Sequence, residues 1–253
     1  MKMRVALTAA LLAMPATLTA QGAASHVTLA DRDRASGKVA SSYEHLEMAI
    51  KAEPSNYEAL WKASRDAGEL GEREPDKARR TQLYKTAEEY ARRAVAANPS
   101  DAEGHFSLAR ALGRTAQSLG SRDRVKYAGE VREHALAALK LQPRHGGALH
   151  VMGVWNAEVM RLSGIQRFAA KNLLGGKVFN EASWAEARRY MEAAVAAEPD
   201  RITHHLDLGA VYADMDEKEL ARQQFQKIAT MNVTEMNDDR YKADAAARLA
   251  KLK

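Results

Sequence analysis

The chain has 253 residues, 46% of them hydrophobic and 28% charged, with only 15 glycines and six prolines, a composition that supports a sizeable buried core and argues against disorder. It contains no cysteine, which excludes a disulfide framework, a thiolate metal site, an acylated lipoprotein cysteine and a cysteine nucleophile. The formal charge of +5 falls to +3 without Lys2 and Arg4, leaving 36 basic against 33 acidic side chains, and no basic stripe interleaved with aromatics marks a nucleic-acid surface.

Residues 1–20, MKMRVALTAALLAMPATLTA, have a basic start, an apolar run from Val5 to Leu12 and a small-residue end. They read as a secretory signal peptide cut after Ala20, with Ala23 or Ala24 as further cleavage positions. A retained anchor is the alternative, but the run is shorter than the ~20 residues that a span needs. No later segment is apolar enough to cross a membrane, so the expectation is an exported, periplasmic protein with no span in the mature chain. Residues 21–36 lack sustained periodicity and are expected to be a loose lead-in. Residues 37–253 then form one helical repeat domain.

Helices are predicted over 37–53, 56–70, 76–98, 101–119, 122–142, 146–163, 165–174, 184–198, 202–214, 217–230 and 237–251, with no competing strand pattern. Four of them end in the same phrase: AIKAEP, AVAANP, ALKLQP and AVAAEP, which place Pro54, Pro99, Pro143 and Pro199 at spacings of 45, 44 and 56 residues. Proline cannot continue a helix interior, so each copy marks a helix end. Ser55 with Glu58, Ser100 with Glu103, and Ser183 with Glu186 have the spacing of capping boxes that would start the following helices. Small residues at Ala87, Ala91, Ala94, Ala187 and Ala194 fall where two helices approach closely. The larger third spacing comes from an insertion over about 163–183, in which Ile165, Phe168, Ala169, Leu173 and Leu174 give one apolar face to a short helix. That helix is expected to pack on the solenoid, with a lid or a partner contact as the alternative. The terminal helix presents Tyr241, Ala245 and Leu249 on one face, as a cap would.

A repeat of this size signals an α-solenoid. The last copy fits the tetratricopeptide pattern best, with Leu208, Gly209, Tyr212, Ala221 and Phe225, although the period is about ten residues longer than the usual 34. The fold class is therefore all-α, an α-solenoid of tetratricopeptide-like hairpins with elongated helices. The first helix of each pair should line a concave groove, which puts Trp61, Arg65, Phe106, Arg110, Arg114, His150, Val154, Leu206 and Ala210 on the inner face. Such a groove suits an amphipathic ligand with an anionic group. The opposing reading makes Trp61 and Phe106 core residues and leaves the arginines solvated. His204, His205 and Asp207 resemble metal ligands, but adjacent helix residues point about 100° apart and no second cluster supports them, so neither metal nor cofactor is expected. His145 reads as a turn residue. No nucleophile elbow, phosphate loop, zincin helix or deaminase pattern is present, which points away from an enzyme.

The segments ALWKASRDAGELGE (59–72), EHALAALKLQPRHGGALHVMGVWNAEVMRLSG (133–164) and EASWAEARRYMEAAVAAEPDRITHHLDLGAVYADMDEKELARQQFQKIA (181–229) resemble the regulator of microtubule dynamics (protein tyrosine phosphatase-interacting protein 51) family. The resemblance covers residues 40 to 250. It implies an all-helical tetratricopeptide-like domain and, for the eukaryotic members, roles in organelle contacts, phospholipid binding or transfer, and microtubule association. This chain departs from them in having no internal anchor, coiled coil or phenylalanine-containing contact motif, and in carrying an export signal, so microtubule binding is not carried over. Two uses of the groove remain: a scaffold for a protein or peptide partner, or a carrier of a phospholipid or other amphipathic ligand.

Overall fold

The computed structural model describes residues 16–252 apart from 117, 118, 120, 165, 167 and 169–176. The signal segment up to residue 15 and most of the expected 165–174 helix lie outside the described residues. The elements are α1 (Ala16–Ala35), α2 (Val39–Ala52), α3 (Tyr57–Arg73), α4 (Lys77–Ala97), α5 (Ala102–Ala116), α6 (Ser121–Leu141), α7 (Gly146–Arg161), a 3-10 turn (Lys177–Glu181), α8 (Trp184–Ala197), α9 (Ile202–Asp214), α10 (Lys218–Thr230) and α11 (Asp238–Lys251). Consecutive helices pair as hairpins, and α3, α5, α7 and α9 also touch in series. These four form the inner wall of an all-α tetratricopeptide-like solenoid, and α4, α6, α8 and α10 form the outer wall.

The helix boundaries follow the prolines with a regular offset. Three of the inner helices are capped by a side chain two residues past the proline: Asn56 accepts from the Ala59 amide at 2.9 Å, Asp101 from the Glu103 amide at 2.9 Å, and His145 Nδ1 from the Ala148 amide at 3.2 Å. Ser55 and Ser100 therefore do not cap, because the residue directly after proline is spent on the turn. Ser183 does cap its helix, with the Glu186 amide donating to Ser183 Oγ at 3.1 Å, but the box is not reciprocal: the Ser183 amide donates to Asn156 at 3.2 Å and the Glu186 carboxylate takes Arg189. The alanines singled out on the outer helices, Ala87, Ala91, Ala94, Ala187 and Ala194, are all at most 1% exposed. Their missing bulk lets each outer helix lie close on its inner partner, and residues such as Leu112, Met191 and Ile228 fill the remaining space.

The segment 21–36 is not a loose lead-in. It is the greater part of α1, and Ala23, Val27 and Ala30 are buried against Leu46, Ala49, Leu60 and Ala63. Three small apolar residues spaced i, i+4, i+7 among polar neighbours give a faint sequence signal. Much of the docking is ionic: Arg34 donates to Asp66 at 2.7 Å and to both oxygens of Glu69 at 2.9 and 3.0 Å, while Lys62 reaches Asp31 at 2.6 Å. The end of the insertion is also anchored, with Phe179 only 3% exposed and its ring 6.0 Å from that of Trp155.

α11 caps the last hairpin as its pattern predicts, through Tyr241, Ala245, Leu249 and Leu252. It also does something the pattern does not foretell, returning to α3 across more than 160 residues of sequence. Glu72 accepts from the Tyr241 hydroxyl at 2.6 Å and from Arg240 at 3.2 Å, and Arg73 donates to Asn237 at 2.9 Å and engages Met236 and Asp239. The two ends of the inner wall are thereby fastened together, and the concave face becomes the inside of a closed turn.

Candidate ligand-binding hollow

The closed turn surrounds a hollow of about 1190 Å³, lined from α3, α4, α5, α6, α7, α9 and α11. Phe106, Arg110, Arg114, His150, Val154 and Leu206 line it, as the inner-face register predicts. Trp61, Arg65 and Ala210 do not. Docked α1 explains the first two. Trp61 packs on the cluster that α1 and α2 build, and the Arg65 guanidinium lies 5.4 Å over the Trp61 ring with its Nε donating to Asp66 at 2.9 Å. Ala210 is instead buried at 6% exposure. Phe106 is both a core and a wall residue, 8% exposed, packed with Ala102, Ala138 and Ala148.

Residues that the inner-face register missed include Glu69 and Glu72 on α3, Arg201 at the N-cap of α9, Asp207 on α9, and Tyr241 on α11. The α3 pair continues the helical stripe from Arg65 at i+4 and i+7, so extending that face by two turns would have found them. Tyr241 could not have been placed, because nothing local says that α11 folds back on α3.

The lining carries eight cations and six carboxylates, and most of the cations are spoken for. Arg114 donates to Glu72 at 2.8 Å, and Arg201 pairs with Glu198 at 3.0 Å and Glu235 at 2.8 Å. Burial pushes the Glu69 carboxyl upward, but Arg34 and then Arg110 and Arg114 hold it below the usual range. Exposed Lys77 and Arg110 are the exceptions among the described residues, and Arg110 is the one on the inner wall. Half-buried on the wall, it stacks 5.2 Å over the Phe106 ring and pairs with no carboxylate among the described residues. Desolvation, and then the like charge of Arg114, push its pKa down; a guanidinium nonetheless keeps its proton in a protein. The adjacent Arg114 Nη1 is buried without a hydrogen-bond partner. That nitrogen is packed against Gly68 of α3, so the open donor at the wall is the Arg110 guanidinium, a group suited to an oxyanion.

Tyr241 is the polar pin of the closure. Burial and the Glu72 carboxylate both raise its pKa, so it stays a neutral donor. Tyr241→Phe is expected to cost about 1.5–3 kcal/mol, the worth of a hydrogen bond to a charged acceptor, and to speed amide exchange through α11 while α5 and α6 are unchanged. Unaltered exchange in α11 would mean that the closure does not depend on this bond.

The histidines considered as metal ligands are engaged elsewhere. His205 binds Gln224 at 2.7 Å and the Pro199 carbonyl at 2.8 Å, and His204 binds Glu198 at 3.0 Å. Among the described residues no group of three or more His, Asp or Glu gathers to hold a metal ion, and no helix is long and apolar enough to cross a membrane.

Comparison with known proteins agrees with this architecture. Residues 24–253 match the family model described as regulator of microtubule dynamics protein 1-3. Regulator of microtubule dynamics protein 1 of Bos taurus is 30% identical over 191 residues, 74% of this chain and 58% of that protein. The Homo sapiens protein of the same name is 28% identical over 163 residues, 64% of this chain and 51% of that one. The chain thus spans between half and three-fifths of these relatives' length. Among solved structures, a thermophilic tetratricopeptide-repeat protein of Thermus thermophilus superposes with a TM-score of 0.61 at 21% identity, covering 89% of this chain and 99% of that one. That likeness concerns the fold alone. By the family match over residues 24–253, the chain belongs to the regulator of microtubule dynamics protein 1-3 family.

Proposed function

We propose that this protein is an exported, non-enzymatic scaffold that holds an acidic segment of a protein or peptide partner in its hollow, with a partner carboxylate on Arg110. The observation that carries this reading is the unpaired Arg110 at the wall. Repeat solenoids commonly use their concave face in this way, and a lining divided between charged groups and short apolar patches such as Phe106, Val154 and Leu206 suits a peptide better than a fatty chain. A phospholipid acyl chain would need a continuous apolar channel, so that alternative is not favoured. Export rests on the N-terminal segment.

The test is an array of Asp- and Glu-rich peptides set against the same peptides with Asn and Gln. The protein is expected to retain the acidic set, and Arg110→Gln to weaken that retention by about tenfold or more, the equivalent of one charge-assisted hydrogen bond, with the helical circular dichroism unchanged. Equal retention of both sets, or an Arg110→Gln variant that binds as well as the parent, removes Arg110 from the site.

A further inference from the structure

Apolar packing joins the helices in overlapping stretches from one end of the solenoid to the other. Val27, Leu46 and Leu60 tie α1, α2 and α3 together. Ala67, Leu112 and Trp155 carry the core from α3 through α5 to α7, and Ala157, Met191, Val211 and Ala245 carry it on from α7 to α11. The place where the turn closes is built differently. Among the described residues, no apolar cluster contains side chains of both α3 and α11, because Tyr241, Ala245, Leu249 and Leu252 are spent on the last hairpin.

What joins α3 to α11 is polar, and most of it converges on one carboxylate. Glu72 accepts from Tyr241 at 2.6 Å, from Arg240 at 3.2 Å, from Asn237 at 3.3 Å and, across the hollow wall, from Arg114 of α5 at 2.8 Å. Arg240 also donates to the Glu72 carbonyl at 2.6 Å, while Arg73 holds Asn237 at 2.9 Å and reaches Asp239. The side chains of Arg73, Asp239 and Arg240 are all exposed. Exposed ion pairs contribute little singly and are screened over about 10 Å at 0.1 M salt. In a solenoid each repeat is held by its neighbours, so the meeting of the two ends can be undone without unpacking any repeat.

We propose that the seam between α3 and α11 is a gate on the hollow, latched by Glu72 and opened when α9, α10 and α11 move away from α3 as one body. The body coheres through Val211, Phe225, Ile228 and Ala245. α11 does not swing off its own hairpin, because the connection before it is tied down: the Thr234 and Glu235 amides donate to Asp238 at 2.8 and 2.7 Å, and Glu235 pairs with Arg201 at 2.8 Å. The displacement is taken up as small slides between successive inner helices, the shear form of domain motion. Tyr241, Asp244 and Arg248 line the hollow from α11, so they leave with it. A closed seam walls that side of the hollow, and an open one lets a partner's chain be laid along Phe106, Arg110 and Val154 without threading a free end. The gate follows from the geometry of the turn and holds whatever the hollow binds.

The experiment is a distance measurement between two spin labels on the full protein. The chain has no cysteine, so Ala78→Cys on α4 and Ala247→Cys on α11, both at exposed positions, carry the only labels across the seam. A second pair, Gln226→Cys with Ala247→Cys, reports on the end body alone. One short distance is expected across the seam at about 0.05 M salt, with a longer population growing in as salt rises to about 1 M, while the pair inside the body keeps a single distance throughout. Glu72→Gln, which keeps the side-chain volume, should raise the open fraction at low salt by about tenfold, the equivalent of one charge-assisted hydrogen bond. Arg240→Gln, at an exposed position, should act in the same direction, and it carries the test if circular dichroism shows that Glu72→Gln has lost its fold. One unchanged short distance across the seam at every salt concentration, in the parent and the variants alike, would overturn the proposal. So would a longer distance that appears equally in the pair inside the body, since that is loosening of the last hairpin and not a gate. No ligand enters the measurement, so its outcome is separate from that of the peptide array.

Discussion

Asp66→Ala should be the most damaging single substitution in the chain, lowering the free energy of unfolding by about 3–5 kcal/mol. The Asp66 carboxylate is fully buried and accepts from Arg34 at 2.7 Å, from Arg65 at 2.9 Å and from the Ser42 hydroxyl at 2.6 Å. Removing it leaves two guanidinium groups, each only about a fifth exposed, without their shared counter-charge. Arg65 already has one buried nitrogen with no partner, so it has no local replacement. The cost is therefore mostly that of stranded charge. Denaturant unfolding gives the magnitude, and limited proteolysis gives the place: Arg34 is a main tie between α1 and α3, so α1 should become the first segment cut. A loss below about 1 kcal/mol, with α1 still protected, would show that Glu69 alone keeps Arg34 in place.

Gly209→Leu should be nearly as severe, by about 2–4 kcal/mol, for a steric reason. A Cβ at Gly209 would lie 2.5 Å from the Phe225 ring, which is 2% exposed and backed by Ile228 and Val211. The ring cannot swing into solvent, so α9 and α10 must separate, and overpacking of a filled core costs on this scale. Gly153 holds the equivalent place against α8, where a Cβ would stand 3.2 Å from the Met191 backbone nitrogen. Thermal unfolding of Gly209→Leu measures the effect. A stability equal to the parent would mean that α9 and α10 pack more loosely than these distances say.

The two substitutions fall on opposite sides of what was legible in the sequence. Gly209 is readable because the repeat puts a small residue at a fixed distance from the proline, and the close approach of paired helices is a local matter. The same holds for the helix order, the alanine stripes and the inner-face positions Phe106, Arg110, Arg114, His150, Val154 and Leu206. Asp66 is unreadable: a single aspartate in the phrase WKASRDAGELGE looks like a solvated residue until α1 is seen to deliver Arg34 to it. Trp61 and Arg65 are drawn away from the groove for the same reason, since a helix with only Ala23, Val27 and Ala30 as its apolar face is too faint a signal to predict the surface it covers.

The sequence by itself determined the repeat, its punctuation by proline, the all-helical class and which face of each inner helix turns inward, because helical periodicity and the backbone limits of proline act over a few residues. The tertiary structure decided what that face becomes. The docking of α1 that removes Trp61 and Arg65, the meeting of His150 with His204, and the return of α11 to Glu72 join residues 32 to 169 positions apart. Contacts of that kind depend on the summed rise and twist of every helix between them, which no local spacing encodes.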